Sequence, residues 1–177
     1  IAQSSGTDKN LLSIVFANTN TGYATGGEMN NADGVIIKTT NGGNIWFTQL
    51  TGTFLELNSL YFHNPDTGFA VSSANVYKTS NGGMNWIEIT GIEGYDIYFT
   101  NSITGYAMGT NPNVYKTTNG GDNWFIASTG YNNAYYSIQF FGDFGITCGN
   151  NGRIMKTTNG GINWSEMPRI TENRLLS

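Results

Sequence analysis

Apolar positions in this chain fall in short runs separated by Gly, Asn, Ser and Thr. In residues 53–91 the runs are Ser59–Phe62, Phe69–Ser72, Val76–Thr79 and Trp86–Ile89. Runs this short, rich in β-branched and aromatic residues and bounded by Gly and Asn, predict strands. No stretch carries a 3.6-residue period, so helices are not expected. No apolar run approaches the ~20 residues a spanning helix needs.

The pattern repeats. Lys38-Thr-Thr-Asn-Gly-Gly-Asn-Ile-Trp46 returns as Lys78-Thr-Ser-Asn-Gly-Gly-Met-Asn-Trp86, Lys116-Thr-Thr-Asn-Gly-Gly-Asp-Asn-Trp124 and Lys156-Thr-Thr-Asn-Gly-Gly-Ile-Asn-Trp164, with Trp-to-Trp spacings of 40, 38 and 40. A second string precedes it: Leu12-Ser-Ile-Val-Phe16 then Thr21-Gly-Tyr-Ala24, with counterparts at Asn58–Phe62 and Thr67–Ala70, and at Asp96–Phe99 and Thr104–Ala107. The fourth copy, Ser137–Phe140 with Phe144-Gly-Ile-Thr147, is degenerate. Four antiparallel strands per ~40 residues, repeated, predict an all-β fold of β-propeller blades. A solenoid of stacked hairpins is the competing architecture. The units are residues 7–52, 53–91, 92–130 and 131–170, within one repeat domain spanning 1–177, and 171–177 starts a further unit.

The Asn-Gly-Gly corner has a local rationale. Asn bonds its own backbone two residues on, and the glycines supply positive φ. Trp then starts the outer strand, its indole N–H seeking an acceptor, and the stem of the Lys eight residues earlier is expected across its ring. This string resembles the Asp-box, or bacterial neuraminidase repeat. Asn41, Asn81, Asn119 and Asn159 stand at the Asp position, Gly43, Gly83, Gly121 and Gly161 at the Gly, and Trp46, Trp86, Trp124 and Trp164 at the Trp. The Thr before Trp is replaced by Ile45, Asn85, Asn123 and Asn163. The wider unit is similar to propeller repeats of photosystem II assembly factors and their relatives in secreted proteins of Bacteroidetes and Chlorobi. That resemblance covers the whole chain, and it implies the fold far more firmly than a function.

Composition narrows the function. The 177 residues include 24 glycines and are 14% aromatic but only 11% charged, with net charge −4. Eight scattered Lys and Arg make no basic stripe, which excludes nucleic acid and disfavours anionic membranes. No Cys/His cluster suggests a metal, and no cofactor is expected. The resemblance includes sialidases and xyloglucan-cleaving glycosidases. Sialidases grip a carboxylate with an arginine triad, whereas Arg153, Arg169 and Arg174 cluster near one end. The twelve acids occupy different positions in different units, without the facing pair a glycosidase needs. The expectation is a non-catalytic, secreted or cell-envelope binding and scaffold module. An assembly-factor-like chaperone platform and a fragment of a carbohydrate-active enzyme are the alternatives.

Individual residues read as follows. Lys38, Lys78, Lys116 and Lys156 form either an anion-binding ring or local packing. His63 is a loop residue and Cys148 a small core filler. Asn163-Trp164-Ser165 fits a glycosylation pattern by coincidence. In a four-stranded blade the box turn and the first turn share one face. The second-to-third-strand loops and inter-blade connections share the other, where the units differ and binding is expected. Ala24 to Lys38 is 14 residues there, against 8 or 9 elsewhere. That face carries Glu28, Met29, Asn30, Asn31 and Asp33, then Phe54 and Glu56, Tyr95 and Asp96, and Tyr131, Asn132 and Asn133. Aromatic and Asn/Asp chemistry suits a protein or glycan partner. Ile1–Ser5 has the look of a processed signal-peptide end. The chain opens on an outer strand and stops in the next inner one. It is therefore a window of a longer propeller, a closed four-blade ring, or a subunit whose spare end strands join neighbours into a filament.

Overall fold

The computed structural model describes residues 4–28, 33–53, 55–109, 113–128, 130 and 132–176. The described residues form sixteen strands: β1 (Leu11–Phe16), β2 (Gly22–Gly26), β3 (Gly34–Thr39), β4 (Phe47–Thr53), β5 (Leu57–Phe62), β6 (Gly68–Ser72), β7 (Asn75–Thr79) and β8 (Ile87–Thr90), then β9 (Asp96–Phe99), β10 (Gly105–Met108), β11 (Asn113–Thr117), β12 (Phe125–Ser128), β13 (Tyr135–Phe141), β14 (Phe144–Gly149), β15 (Ile154–Thr157) and β16 (Ser165–Glu166). Consecutive strands pair antiparallel into four four-stranded sheets, each a propeller blade. Two compact units result, residues 1–91 with blades one and two, and residues 92–177 with blades three and four.

Each box is held by a residue that sequence reasoning passed over. The Thr39 hydroxyl accepts from Gly43 N at 2.9 Å and donates to Asn41 Oδ1 at 3.0 Å, and that oxygen accepts from Ile45 N at 2.9 Å. Thr79, Thr117 and Thr157 repeat the arrangement with Asn81, Asn119 and Asn159. All four threonines are buried. The Asn carbonyl thus reaches the amide four residues on, not two. It needs only an acceptor oxygen, which is why Asn serves where the Asp-box has Asp. None of the four Asn has positive φ; only the glycines do, Gly42 at 69° and Gly43 at 89° in the first blade. Replacing Thr117 by Val keeps the shape but leaves the buried Gly121 N–H without an acceptor. We expect a loss of about 1–3 kcal/mol in urea unfolding.

The Trp ring lies edge-on to a Phe at or next to the end of its own blade's first strand. Centroid distances are 6.2 Å for Phe16–Trp46, 6.1 Å for Phe62–Trp86, 5.9 Å for Phe99–Trp124 and 6.0 Å for Phe140–Trp164. The Phe ring in turn covers the Gly of Thr-Gly-Tyr-Ala. Trp124 finds an indole acceptor in Gly121 O at 3.1 Å. The indole nitrogens of Trp86 and Trp164 are buried without one among the described residues.

Lysine does not lie on Trp as expected. It crosses the ring of its cross-strand neighbour and caps the next blade's box. Lys38 Nζ sits 5.3 Å from the Tyr23 ring and donates to Gly82 O at 2.7 Å; Lys116 Nζ sits 5.3 Å from Tyr106 and donates to Gly160 O at 2.6 Å. The reason is register: Tyr23 pairs with Lys38 and Tyr106 with Lys116. The same tyrosines stack on the next blade's Phe, Tyr23 on Phe62 at 3.7 Å and Tyr106 on Phe140 at 4.2 Å. Their hydroxyls donate to Pro65 O at 2.8 Å and Gly160 O at 2.7 Å. Within each unit, Tyr and Lys therefore form a latch from one blade to the next.

Burial, with lesser help from Asp66 and Asp143, pushes Tyr23 and Tyr106 up to about 12 from an ordinary 10.0. The protonated latch favours the folded state, so its contribution is whole below pH 10 and falls as pH rises through 12. Unfolding midpoints should drop steeply across that window and less so for Tyr106→Phe, as read by circular dichroism.

Candidate functional site

The blade face opposite the boxes carries the features that differ between units. The shared-face expectation holds in the backbone: Gly42, Gly82, Gly120 and Gly160 amides donate to first-turn carbonyls of Asn20, Asp66, Ile103 and Asp143. The other loops and connections therefore gather opposite, where Gly27 meets Glu56 and Gly34 meets Leu55.

In the first unit, Asp33 pairs with Lys9 at 2.5 Å. Their hydrogen bond is the main cause holding the lysine above its ordinary range. A groove of about 630 Å³ lies between residues 4–9 and β4, lined by Thr7, Asp8, Lys9, Asp33, Thr48 and Thr51. Glu28 is half-buried, and burial raises the Glu56 carboxyl. Met29, Asn30, Asn31 and Phe54 lie outside the described residues.

In the second unit the structure separates two neighbours that the sequence grouped. Asp96 is a strand-pairing residue: its Oδ1 accepts from Ile97 N and its Oδ2 from Ile138 N of the next blade, both at 2.9 Å. Ser13 does the same for Leu60 N in the first unit. Tyr95 instead lies against Tyr136, centroids 4.9 Å apart and tilted 43°, and Arg174 lies over Tyr136 at 5.0 Å. Tyr136 O–H donates to Asn150 Oδ1 at 3.1 Å. This half-buried aromatic pair with one guanidinium is held in place yet open on one side. Asn132 is exposed nearby in sequence; Tyr131 lies outside the described residues. Sequence reasoning missed Tyr136 and Arg174. The Tyr135-Tyr136 doublet was the available signal, because alternation buries Tyr135 and turns Tyr136 away.

Other candidates resolve plainly. His63 lies in its loop as expected, but half-buried and edge-on to Tyr61 at 5.0 Å, and burial lowers its pKa. Cys148 is half-buried rather than core, whereas its counterparts Thr25, Val71 and Met108 are fully covered. Burial and then Asp96 raise its thiol, which keeps it unreactive. Among the described residues, no group of three or more His, Cys, Asp or Glu is placed to hold a metal. Several acids are committed internally: Glu88 accepts from Tyr77 and Asn75, and Glu166 pairs with Arg153 at 2.8 Å. Among the described residues, no helix is long and apolar enough to cross a membrane.

With this geometry in hand, comparison with known proteins is informative. The family model of the photosynthesis system II assembly factor YCF48 matches residues 88–175, about half of the chain. No curated protein sequence matches. An ancestral GH74 enzyme superposes with TM-score 0.74 at 19% identity, covering 96% of this chain and 25% of that one. YCF48 from Cyanidioschyzon merolae gives 0.70 at 16%, covering 95% and 59%. YCF48 bound to D1 peptide gives 0.56 at 13%, covering 90% and 82%. At these identities the structural likeness carries the fold alone. This chain spans a quarter of the GH74 enzyme and under two thirds of the Cyanidioschyzon protein. Its blades are neuraminidase-type propeller repeats of the photosystem II assembly factor kind.

Proposed function

We propose that this chain of assembly-factor-type propeller repeats is a non-catalytic binding module, secreted or held in a cell envelope, that takes a protein segment on its loop face. The observation that carries the reading is the Tyr95–Tyr136–Arg174 cluster. Two tilted rings and a guanidinium bind peptide through apolar contact, cation–π attraction and hydrogen bonds at little entropic cost, since the cluster is already ordered. A solved relative of the same fold carries a bound peptide, which supports this class of partner. Aromatic rings equally suit sugars, so a glycan is the competing ligand. The match of residues 88–175 favours a second reading, a chaperone platform for an assembling complex.

Peptide and glycan arrays probed with wild type and Tyr136→Ala separate these. We expect peptide signals that Tyr136→Ala reduces tenfold or more, worth about 1.4 kcal/mol or above, with an unchanged circular dichroism spectrum. Signals indifferent to Tyr136→Ala would place the site elsewhere. Release of sugar from xyloglucan or a sialylated substrate would overturn the non-catalytic reading.

A further inference from the structure

The last strand of each blade is the edge of its sheet, and no fifth strand pairs with it among the described residues. Such an edge offers the outward N–H and C=O of every second residue to any other strand, so it is normally blunted. Three of the four edges are. β4 carries two register shifts, between Gly34 and Val35 and between Ile36 and Ile37 of its partner strand. β8 holds an exposed charge, Glu88. β16 is two residues long, includes Glu166 and is followed by Pro168.

The β12 edge has none of these devices. It reads Phe-Ile-Ala-Ser, without charge or proline, and pairs with β11 in unbroken register from Lys116↔Phe125 to Asn113↔Ser128. Phe125 is 49% and Ile126 58% exposed, one on each face of the strand. Their exposure belongs to the outer position rather than to a missing neighbour. Phe125 is open with blade four packed beside blade three. Glu88 pairs with Tyr77 as Ile126 pairs with Tyr115, and it is exposed although blade one packs on blade two.

We propose that the β12 edge is a strand-addition site, taking an extended apolar segment of a partner protein as a fifth strand of blade three. Only a strand satisfies both the outward backbone groups and side chains that alternate between faces. Self-pairing fits less well. Two copies of β12 paired antiparallel over all four residues would set Phe125 against Ser128 and Ile126 against Ala127. Each large side chain then meets a small one, whereas a segment with its own β-branched or aromatic residues covers both. The chain's net charge of −4, with exposed Asp122 just before the strand, favours Lys or Arg at the ends of that segment. This contact goes beyond the loop-face cluster of Tyr95, Tyr136 and Arg174 and does not depend on it.

Amide hydrogen exchange on the full chain, read by mass spectrometry, tests this with a capped seven-residue peptide of alternating Val and Thr between terminal lysines. Exchange in residues 125–128 should slow when the peptide is added. Two N-methylated forms of the peptide, one for each alternate set of amides, should differ: one fails to bind and the other binds, because only one edge of an added strand is paired. Ile126→Glu copies the residue blade two has at this position. It should fold with an unchanged urea midpoint and weaken peptide binding about tenfold. Thr48→Glu on β4 and Tyr136→Ala on the loop face should bind as wild type does, so this site and the loop-face site are read separately. Unchanged exchange at residues 125–128, equal behaviour of the two methylated forms, or binding indifferent to Ile126→Glu each overturn the strand-addition site. A wild-type dimer in sedimentation velocity that Ile126→Glu abolishes overturns the partner segment and assigns the edge to a second copy.

Discussion

Phe62→Ala should lose about 3–5 kcal/mol of stability in urea unfolding, against a total of about 5–15 kcal/mol for a domain of this size. The Phe62 ring is the point where two blades are joined. Tyr23 of blade one stacks on it at 3.7 Å and 10°, Trp86 meets it edge-on, and only 8% of it is exposed. Truncation removes all these contacts and leaves a cavity between sheets that cannot close, because each is fixed by its own ladder. Phe16 supplies an internal control. It holds the same position and meets Trp46 the same way, but it is 45% exposed. Phe16→Ala should cost less than half as much. Equal costs would mean that the joint between blades contributes little and that the Phe–Trp contact within each blade dominates.

Gly105→Ala should cost about 1–3 kcal/mol although it adds one methyl group. A Cβ there would stand 2.5–2.6 Å from the Phe99 ring, and Gly68 meets Phe62 at 2.4 Å in the same way. Gly105 has no positive φ, so the strand itself accepts alanine and the penalty is steric. Relief therefore has a defined route. In a Phe99→Ala background the same substitution should cost almost nothing, a double-mutant coupling of 1 kcal/mol or more. An uncoupled pair would show that the close approach of ring to backbone is not what selects glycine.

These two residues show how the chain is legible and where reading stops. The recurrence of Phe and of Gly six residues later was plain in the string, as was the count of strands per unit. Local chemistry explains that: short apolar runs and Gly-Gly corners act within a single blade, and the 40-residue period repeats their order. The reason for that Gly was not legible, because it is required by a ring from the adjacent strand rather than by a turn. The lysines were misassigned to Trp for a related cause. Sequence distance pointed to the nearby box, whereas strand register placed Lys38 and Lys116 over tyrosine neighbours and aimed their ammoniums at the next blade.

The candidate site divides along the same line. Tyr95 and Asp96 are adjacent, yet strand alternation gave one to the loop face and the other to the pairing of Ile138. Tyr136 and Arg174 join Tyr95 from distant positions, which only packing brings together. The sequence alone determined an all-β chain of four blade-sized units, the place of the Gly-Gly corner in each and the lack of a basic stripe. These follow from patterns a few residues long. Tertiary structure decided which blade faces are covered, which acids are committed to the backbone and which aromatics meet. Those outcomes depend on contacts some 40 residues apart, where neighbouring blades impose geometry that no local pattern contains.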